Sequence, residues 1–283
     1  MSKKLILLDA YALIYRAHFA FIKNPRINSK GLNTSAIFGF CNSLLEVTNK
    51  FDPSHIGVVF DPPGGSDREG VFADYKANRQ EMPEDIRKAI PHIFDLLKAM
   101  NIKVEMEEGF EADDVIGTLA KQAEKKGFET YMMTPDKDFG QLVSDHIFIY
   151  KPGRSGNPSE VLGPKEVCEK FEVKDPLQVI DILGLWGDAV DNIPGVPGVG
   201  EKTAKKLIST YGSIENLIKN AHELKGKLKE NVENFAEQAI LSKQLATIIL
   251  DCPVEFDESD FSRKEVNEKE LVKLLQYLEF NQL

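Results

Sequence analysis

Five short stretches have the apolar or alternating pattern of strands: KLILLDA from Lys4, HIGVVFD from His55, IKVEMEE from Ile102, ETYMMTP from Glu129 and HIFIYKP from His146. Between them the apolar positions change to helical spacing. Ser35 to Lys50 is amphipathic, a helix is predicted from Pro83 to about Met100, and Ala112 to Lys126 puts Val115, Ile116, Leu119, Ala120 and Ala123 on one face. Strands alternating with helices predict an α/β fold with a mainly parallel central sheet flanked by helices. After about Lys151 the pattern changes. Pro164 to Phe171, Pro176 to Trp186, Glu201 to Tyr211 and Val232 to Leu250 all read as helices, so the expected division is an α/β region over 1–175 and a mostly α region over 176–283. No solenoid repeat or low-complexity segment interrupts this plan.

Acidic residues recur where the predicted strands end. They are Asp9, Asp61, the run Glu111-Ala112-Asp113-Asp114, Asp136 with Asp138, and, further on, Asp188 with Asp191. One Asp after a strand is ordinarily a helix cap or turn former, and Asp9 before Ala10 and Tyr11 is placed to be one. Five such groups point elsewhere, because the carboxyl ends of parallel strands open onto one crevice where ligands bind. Crowded carboxylates repel, and protons or hard divalent cations such as Mg²⁺ or Mn²⁺ relieve that repulsion. More than four acids imply two metal ions.

Composition narrows the class. The 283-residue chain is 42% hydrophobic and 28% charged, which is globular composition and long enough for a substantial core. No apolar run approaches the roughly 20 residues needed to span a bilayer, and no signal-peptide core follows Met1-Ser2-Lys3-Lys4, so a cytoplasmic protein is expected. Cys41, Cys168 and Cys252 are scattered and odd in number, and the five histidines form no zinc spacing with them. The net charge of −10 argues superficially against a polyanionic partner. It is unevenly spread, however: residues 201 to 231 hold seven lysines against four glutamates.

Two segments are too unusual to be connectors. Pro62 to Met82 is rich in glycine and charge, and its Arg68, Tyr75, Lys76 and Arg79 bring cations and a ring to the mouth of the crevice, where phosphates and bases can be gripped. Alone, such a stretch would read as a solvated loop. The second is GDAVDNIPGVPGVGEKTAKKLI, residues 187–208. Gly195, Gly198 and Gly200 permit tight backbone geometry before a helix whose N-terminus offers free N–H groups, and Lys202, Lys205 and Lys206 add attraction to a phosphodiester chain. This predicts a helix-hairpin-helix that binds nucleic acid.

In this order, LILLDAYALIYRAHFA, FDPPGGSDREGVFADYKANR, EGFEADDVIGTLA, TPDKDFGQL and GDAVDNIPGVPGVGEKTA closely resemble the 5′-nuclease (flap endonuclease) family, in particular the 5′-3′ exonuclease domain of bacterial DNA polymerase I. The resemblance runs from residue 5 to about 280. It implies two-metal hydrolysis of DNA or RNA near 5′ ends, flaps and nicks, as in primer removal, leaving 5′-phosphate and 3′-hydroxyl ends. Asp9, Asp61, Glu111 and Asp113 match the first metal cluster and Asp136, Asp138 and Asp188 the second. Asp114 and Asp191 match acids acting through water or hydrogen bonds to the ligands. Lys76 and Arg79 resemble residues at the base of a helical arch, here about 62–90, that steer the scissile phosphate. Arg16, Arg68, Tyr75 and Thr203 join the hairpin glycines and lysines as expected DNA contacts, and the hairpin is expected to hold a monovalent cation such as K⁺. Asp67 stands where the family commonly has an aromatic residue and Gly70 where it often has an acid, so the upper arch is expected to grip its strand differently.

The same resemblance implies a monomer acting on DNA or RNA-primer hybrids without a membrane. The chain stops at YLEFNQL, where polymerase relatives continue, and the missing cap and polar tail favour a piece of a longer protein. Two other readings compete. A non-catalytic DNA-junction module would gain nothing from so many phosphate-repelling acids, and a PIN-like metal-dependent ribonuclease lacks a reason for the basic hairpin after Asp191.

Overall fold

The computed structural model describes residues 3–153 and 157–280. Six strands form one sheet: β1 (Lys3–Asp9), β2 (His55–Val59), β3 (Lys103–Glu105), β4 (Phe128–Met133), β5 (Ile147–Lys151) and β6 (Glu160–Leu162). Their order is β3-β2-β1-β4-β5-β6, all neighbours parallel except β6, which runs antiparallel to β5. The chain builds outward from β1 to β3, then crosses to the other side and builds outward again from β4. The reversal leaves a crevice between the carboxyl ends of β1 and β4.

Successive residues of β1 face opposite layers, as the period of a strand requires. Leu5 and Leu7 enter a core shared with α5 (Ala112–Lys125), while Ile6 and Leu8 enter one shared with α1 (Ala10–Ala20), α2 (Ser35–Phe51) and α4 (Glu84–Ala99). All four leucine and isoleucine side chains are wholly buried. Full burial on both faces explains why β1 reads as a continuous apolar run. The short α3 (Arg68–Val71) lies between β2 and α4.

The α5 core continues without interruption into the helices that follow β6: α6 (Pro164–Phe171), α7 (Gln178–Trp186), α8 (Glu201–Tyr211), α9 (Ile214–Lys219), α10 (Gly226–Asn234) and α11 (Ala236–Ala246). The chain then returns to the α/β layer. Phe261 of α12 (Glu258–Phe261) packs over Gly57 of β2, where any Cβ would meet its ring at 2.5 Å. Leu278 at the end of α13 (Glu268–Leu278) and Phe280 beyond it bury against the α2 and α4 side. Residues 281–283 of the terminal run YLEFNQL lie outside the described residues.

Three expectations are corrected. The helix expected over Val232 to Leu250 is two helices with a break at Phe235, and it ends at Ala246 because other partners take its backbone: the N–H of Ile248 donates to Gln141 and that of Ile249 to Asp114. The strand from Ile102 ends at Glu105. Of the stretch 62–90, residues from Glu84 onward belong to α4, whose Ile86 and Ala89 are core, so only 62–83 stands apart and it contains just the one-turn α3.

Candidate active site and nucleic-acid interface

The topology brings the sequence-predicted acids to the switch point. Asp9 ends β1 and caps α1 through Ala12 N–H at 3.4 Å, while its other oxygen accepts from the buried Thr134 hydroxyl at 2.9 Å. It is therefore both a cap and a crevice residue. Asp61 follows β2 and accepts from the N–H of Ala112, the first residue of α5, at 3.1 Å. Glu111 precedes that residue, and its carboxylate receives Ser66 at 2.7 Å, Tyr75 at 3.2 Å and Lys76 at 2.6 Å. The N-terminus of α5 thus faces the acids, where its dipole favours negative charge.

The second group descends from β4 and from the loop after α7. Asp136 accepts from the N–H of Asp138, and Asp188 accepts from that of Val190. Lys137 lies between the two arms, bonded to Asp188, with its ammonium 3.4 Å from Asp138 and 5.3 Å from the Trp186 ring. This lysine is not among the residues the sequence pattern singles out, although its place between two aspartates is a readable signal.

Crowding shows in the protonation equilibria. Burial, with Asp61 and Asp136 nearby, pushes Asp9 up to about 7, and burial with Asp136 and Asp188 does the same to Asp138. Burial, with Asp114 and Glu111, holds Asp113 well above the ordinary carboxylate range, and burial also raises Asp61. Asp136 is exposed, yet desolvation by the protein around its carboxylate, with the charges of Asp191 and Asp188, raises it. Glu111 and Asp188 go the other way: against the upward push of burial, Lys76 and Arg68 lower the first and Lys137 the second.

As they stand, no three of these carboxylates converge on one point among the described residues, since Lys76, Lys137 and Arg79 occupy Glu111, Asp188 and Asp191. The donor set nevertheless fits hard divalent ions. Every candidate ligand is a carboxylate oxygen, and one of them, Oδ1 of Asp138, is buried without a hydrogen bond and has only the Lys137 ammonium, at 3.4 Å, to offset its charge.

Two expected DNA contacts, Arg68 and Tyr75, are corrected. Asp114 is completely buried. Both its oxygens bind Arg68 at 2.6 Å, and they also accept from the N–H groups of Glu111 and Ile249. Arg68, expected on DNA, is 6% exposed and spends its remaining N–H groups on the Leu245 and Thr247 carbonyls. Tyr75 is likewise buried beneath Lys76, with its hydroxyl on Glu111, and offers no face to a base. Arg16 bonds the Gly153 carbonyl and ties α1 to the end of β5.

In the hairpin the three glycines differ. Gly195 has φ +61°, and a Cβ there would meet Gly187 N at 2.6 Å, so it is a packing residue, clamped by Ser242 and Gln238 of α11. Gly198 is exposed at φ +78°, with only the Asn231 amide near a would-be Cβ. Gly200 has open space around it and caps α8. Lys202 and Lys206 are exposed and Thr203 half-buried, whereas Lys205 is held by Glu201 at 2.7 Å and by the Lys170 carbonyl at 2.9 Å.

Acids gathered at the switch point of a parallel sheet, beside an exposed glycine turn that opens a basic helix, define a class of phosphodiester hydrolase. The 5′-3′ exonuclease N-terminal resolvase-like domain matches residues 4–172, and the 5′-3′ exonuclease C-terminal SAM fold matches residues 174–269. The chain belongs to the 5′-3′ exonuclease family. It is 42% identical over 283 residues to a DNA polymerase I of Bacillus subtilis (strain 168), covering 99% of this chain and 32% of that protein. It is 38% identical over 281 residues to a 5′-3′ exonuclease of Aquifex aeolicus (strain VF5), covering 99% of this chain and 94% of that one. The chain therefore spans about a third of the polymerase relatives' length. T5 5′-exonuclease with divalent metal ions (zinc) bound has the same fold, with a TM-score of 0.74 at 20% identity over 98% of this chain and 100% of that one. The catalytic core of Rad2 in complex with DNA substrate shares it at a TM-score of 0.64 and 17% identity, over 98% and 88%.

Proposed function

We propose that the chain is a structure-specific 5′ nuclease that hydrolyses phosphodiester bonds near DNA 5′ ends, flaps and nicks. Asp9, Asp61, Glu111 and Asp113 would hold one Mg²⁺ or Mn²⁺, and Asp136, Asp138 and Asp188 a second, with Asp191 in support. Such ions supply a water acidified to near-neutral pKa and offset charge on the attacking and leaving oxygens. Lys76 and Arg79 stand on the crevice wall, within reach of a phosphate that displaces them from Glu111 and Asp191. Thr134 and the N–H of Ala112 keep Asp9 and Asp61 pointed inward. No thiol is poised as a nucleophile: burial pushes Cys41 and Cys252 up to about 11, and Cys168 is also raised, by burial and by Asp175.

Gly198, the free N–H groups at the start of α8, Lys202 and Lys206 would hold the duplex backbone, with K⁺ at the hairpin carbonyls. The chain would work as a monomer, alone or joined to polymerase domains, on DNA and on RNA-primer hybrids.

The crowding of carboxylates whose protonation is pushed up by burial and by one another, Asp9, Asp113 and Asp138 among them, carries this reading, because a DNA-binding module gains nothing from acids that repel phosphate. Incubation with a 5′-labelled flap, a nicked duplex and a single strand, with and without Mg²⁺, tests it. Metal-dependent cleavage near the 5′ end is expected, and binding without cleavage would make the chain a junction-binding module.

A further inference from the structure

The segment Asp74 to Arg79, which carries Lys76 and Arg79, is not free-standing. It is stitched to residues 188–192, the loop that leads into the glycine hairpin. The Asn78 amide donates to the Ala189 carbonyl at 2.7 Å, and the Asn192 amide donates back to the Asp74 carbonyl at 2.6 Å. Between these, Lys76 N–H donates to the Asp191 carbonyl at 2.9 Å, and the Arg79 guanidinium binds the Asp191 carboxylate. The two asparagines give reciprocal contacts, one from each side, to backbone carbonyls.

The backbone at both ends of this stitch is held in an uncommon state. Lys76 has φ +56° and Asn192 φ +57°, left-handed values that asparagine tolerates and lysine seldom adopts. A lysine persists there only when its surroundings over-determine it. The surroundings here are the Asp191 carbonyl on its own N–H, and Asn78 and Asn192 on either side. The loop it is tied to is itself rigid: the Asp188 and Ile193 backbones exchange two hydrogen bonds at 2.9 and 2.8 Å, and two residues on, Gly195 is locked between Gly187 and Ser242.

We propose that Asn78 and Asn192 are positioning residues that fix the Lys76 segment to the hairpin loop, so that seating a duplex on the hairpin and placing Lys76 at the scissile phosphate are one event. The inference rests on the nuclease reading above and extends it. The hairpin supplies affinity, the stitch converts that affinity into alignment, and a nuclease so built cuts where duplex and 5′ end meet at the hairpin's fixed distance.

The test uses Asn78→Ala, Asn192→Gly and their combination. Asn78 is exposed, so its loss leaves the fold intact, and glycine at 192 keeps the left-handed backbone while removing the amide. Two quantities are measured on nicked duplex: the dissociation constant in Ca²⁺ and the single-turnover rate in Mg²⁺ at saturating enzyme. For the double variant the rate should fall about tenfold, the cost of one to two net hydrogen bonds, while the dissociation constant moves less than twofold. Asn78→Gln, which keeps an amide donor, should retain a rate within about threefold of the parent. An unchanged saturated rate, or a rate and affinity that fall by the same factor, overturns the positioning role. If the parent chain shows no metal-dependent cleavage, the nuclease reading fails first and the proposal fails with it, so the two failures are distinguishable.

Discussion

Replacing Arg68 should unfold the protein more readily and leave DNA affinity alone, the reverse of what a surface cation in a nucleic-acid-binding loop would do. Arg68 and Asp114 form a bidentate pair with both N···O distances at 2.6 Å, with Arg68 6% exposed and Asp114 fully buried. Solvent screening is negligible at that burial, so breaking the pair falls in the range of about 3–5 kcal/mol for stranding one buried charge. Position within the range follows from what remains. Arg68→Met leaves the carboxylate with two N–H donors, from Glu111 and Ile249, and should cost about 3 kcal/mol. Asp114→Leu strands the guanidinium and both of those N–H groups and should cost about 5 kcal/mol. For a chain of this length the corresponding fall in Tm is roughly 5–8 °C. Calorimetry of the metal-free protein measures it, and the loss should persist in about 0.5 M NaCl because the pair is buried. Dissociation constants for nicked duplex, taken well below Tm, should match the parent for Arg68→Met. An unchanged Tm with weakened, salt-dependent DNA binding would refute the reasoning and return Arg68 to the phosphate-binding surface.

Asp61→Ala or Asp113→Ala should nearly abolish cleavage while duplex binding in the absence of divalent ions survives or slightly improves, since one repulsive carboxylate is gone; retained cleavage in either variant would remove that residue from the ligand set. Lys202→Ala with Lys206→Ala should flatten the dependence of log Kd on log salt by about one unit for each phosphate those lysines neutralise, whereas Lys205→Ala, already held by Glu201, should change it little. Asp138 titrates near 7 in the fold against 3.8 ordinarily, so the fold binds more protons than the unfolded chain between those values. Its destabilising charge is absent at low pH, grows as pH rises through that window and is complete above about 7. Asp138→Asn should accordingly raise the metal-free Tm most at pH 8, by roughly two-fifths as much at pH 5, and leave it nearly unchanged only at about pH 3, below both values, as pH-series calorimetry will show.

Much of this protein was legible before its fold was known. The strands β1, β2, β4 and β5 declared themselves as short apolar runs because they are buried on both faces, and α2, α4 and α5 by a repeat of 3.6 residues because each buries one face. The acids were legible for a related reason: once the strands are parallel, their carboxyl ends share one side, so Asp9, Asp61, Asp136 and Asp138 after the strands and Asp113 at the start of α5 lie on the same side of the sheet.

The end of α11 at Ala246 was not legible, because the chain to Leu250 is locally a good helix, and Gln141 and Asp114, more than a hundred residues away, claim the backbone of Ile248 and Ile249. Nor was the difference between Asp113 and Asp114 legible. Adjacent residues at a helix start point about 100° apart, so one is half-buried and the other wholly buried, and only the arrival of Arg68 from another segment makes the buried position tolerable for a carboxylate. The roles proposed for Asn78 and Asn192 are of the same kind. Their amides act on carbonyls over a hundred residues distant, and a hydrogen bond between segments leaves no periodicity in either of them. Sequence determined which residues could do chemistry, because chemistry depends on residue type; the tertiary structure decided which of them are free to do it, because freedom depends on what else packs nearby.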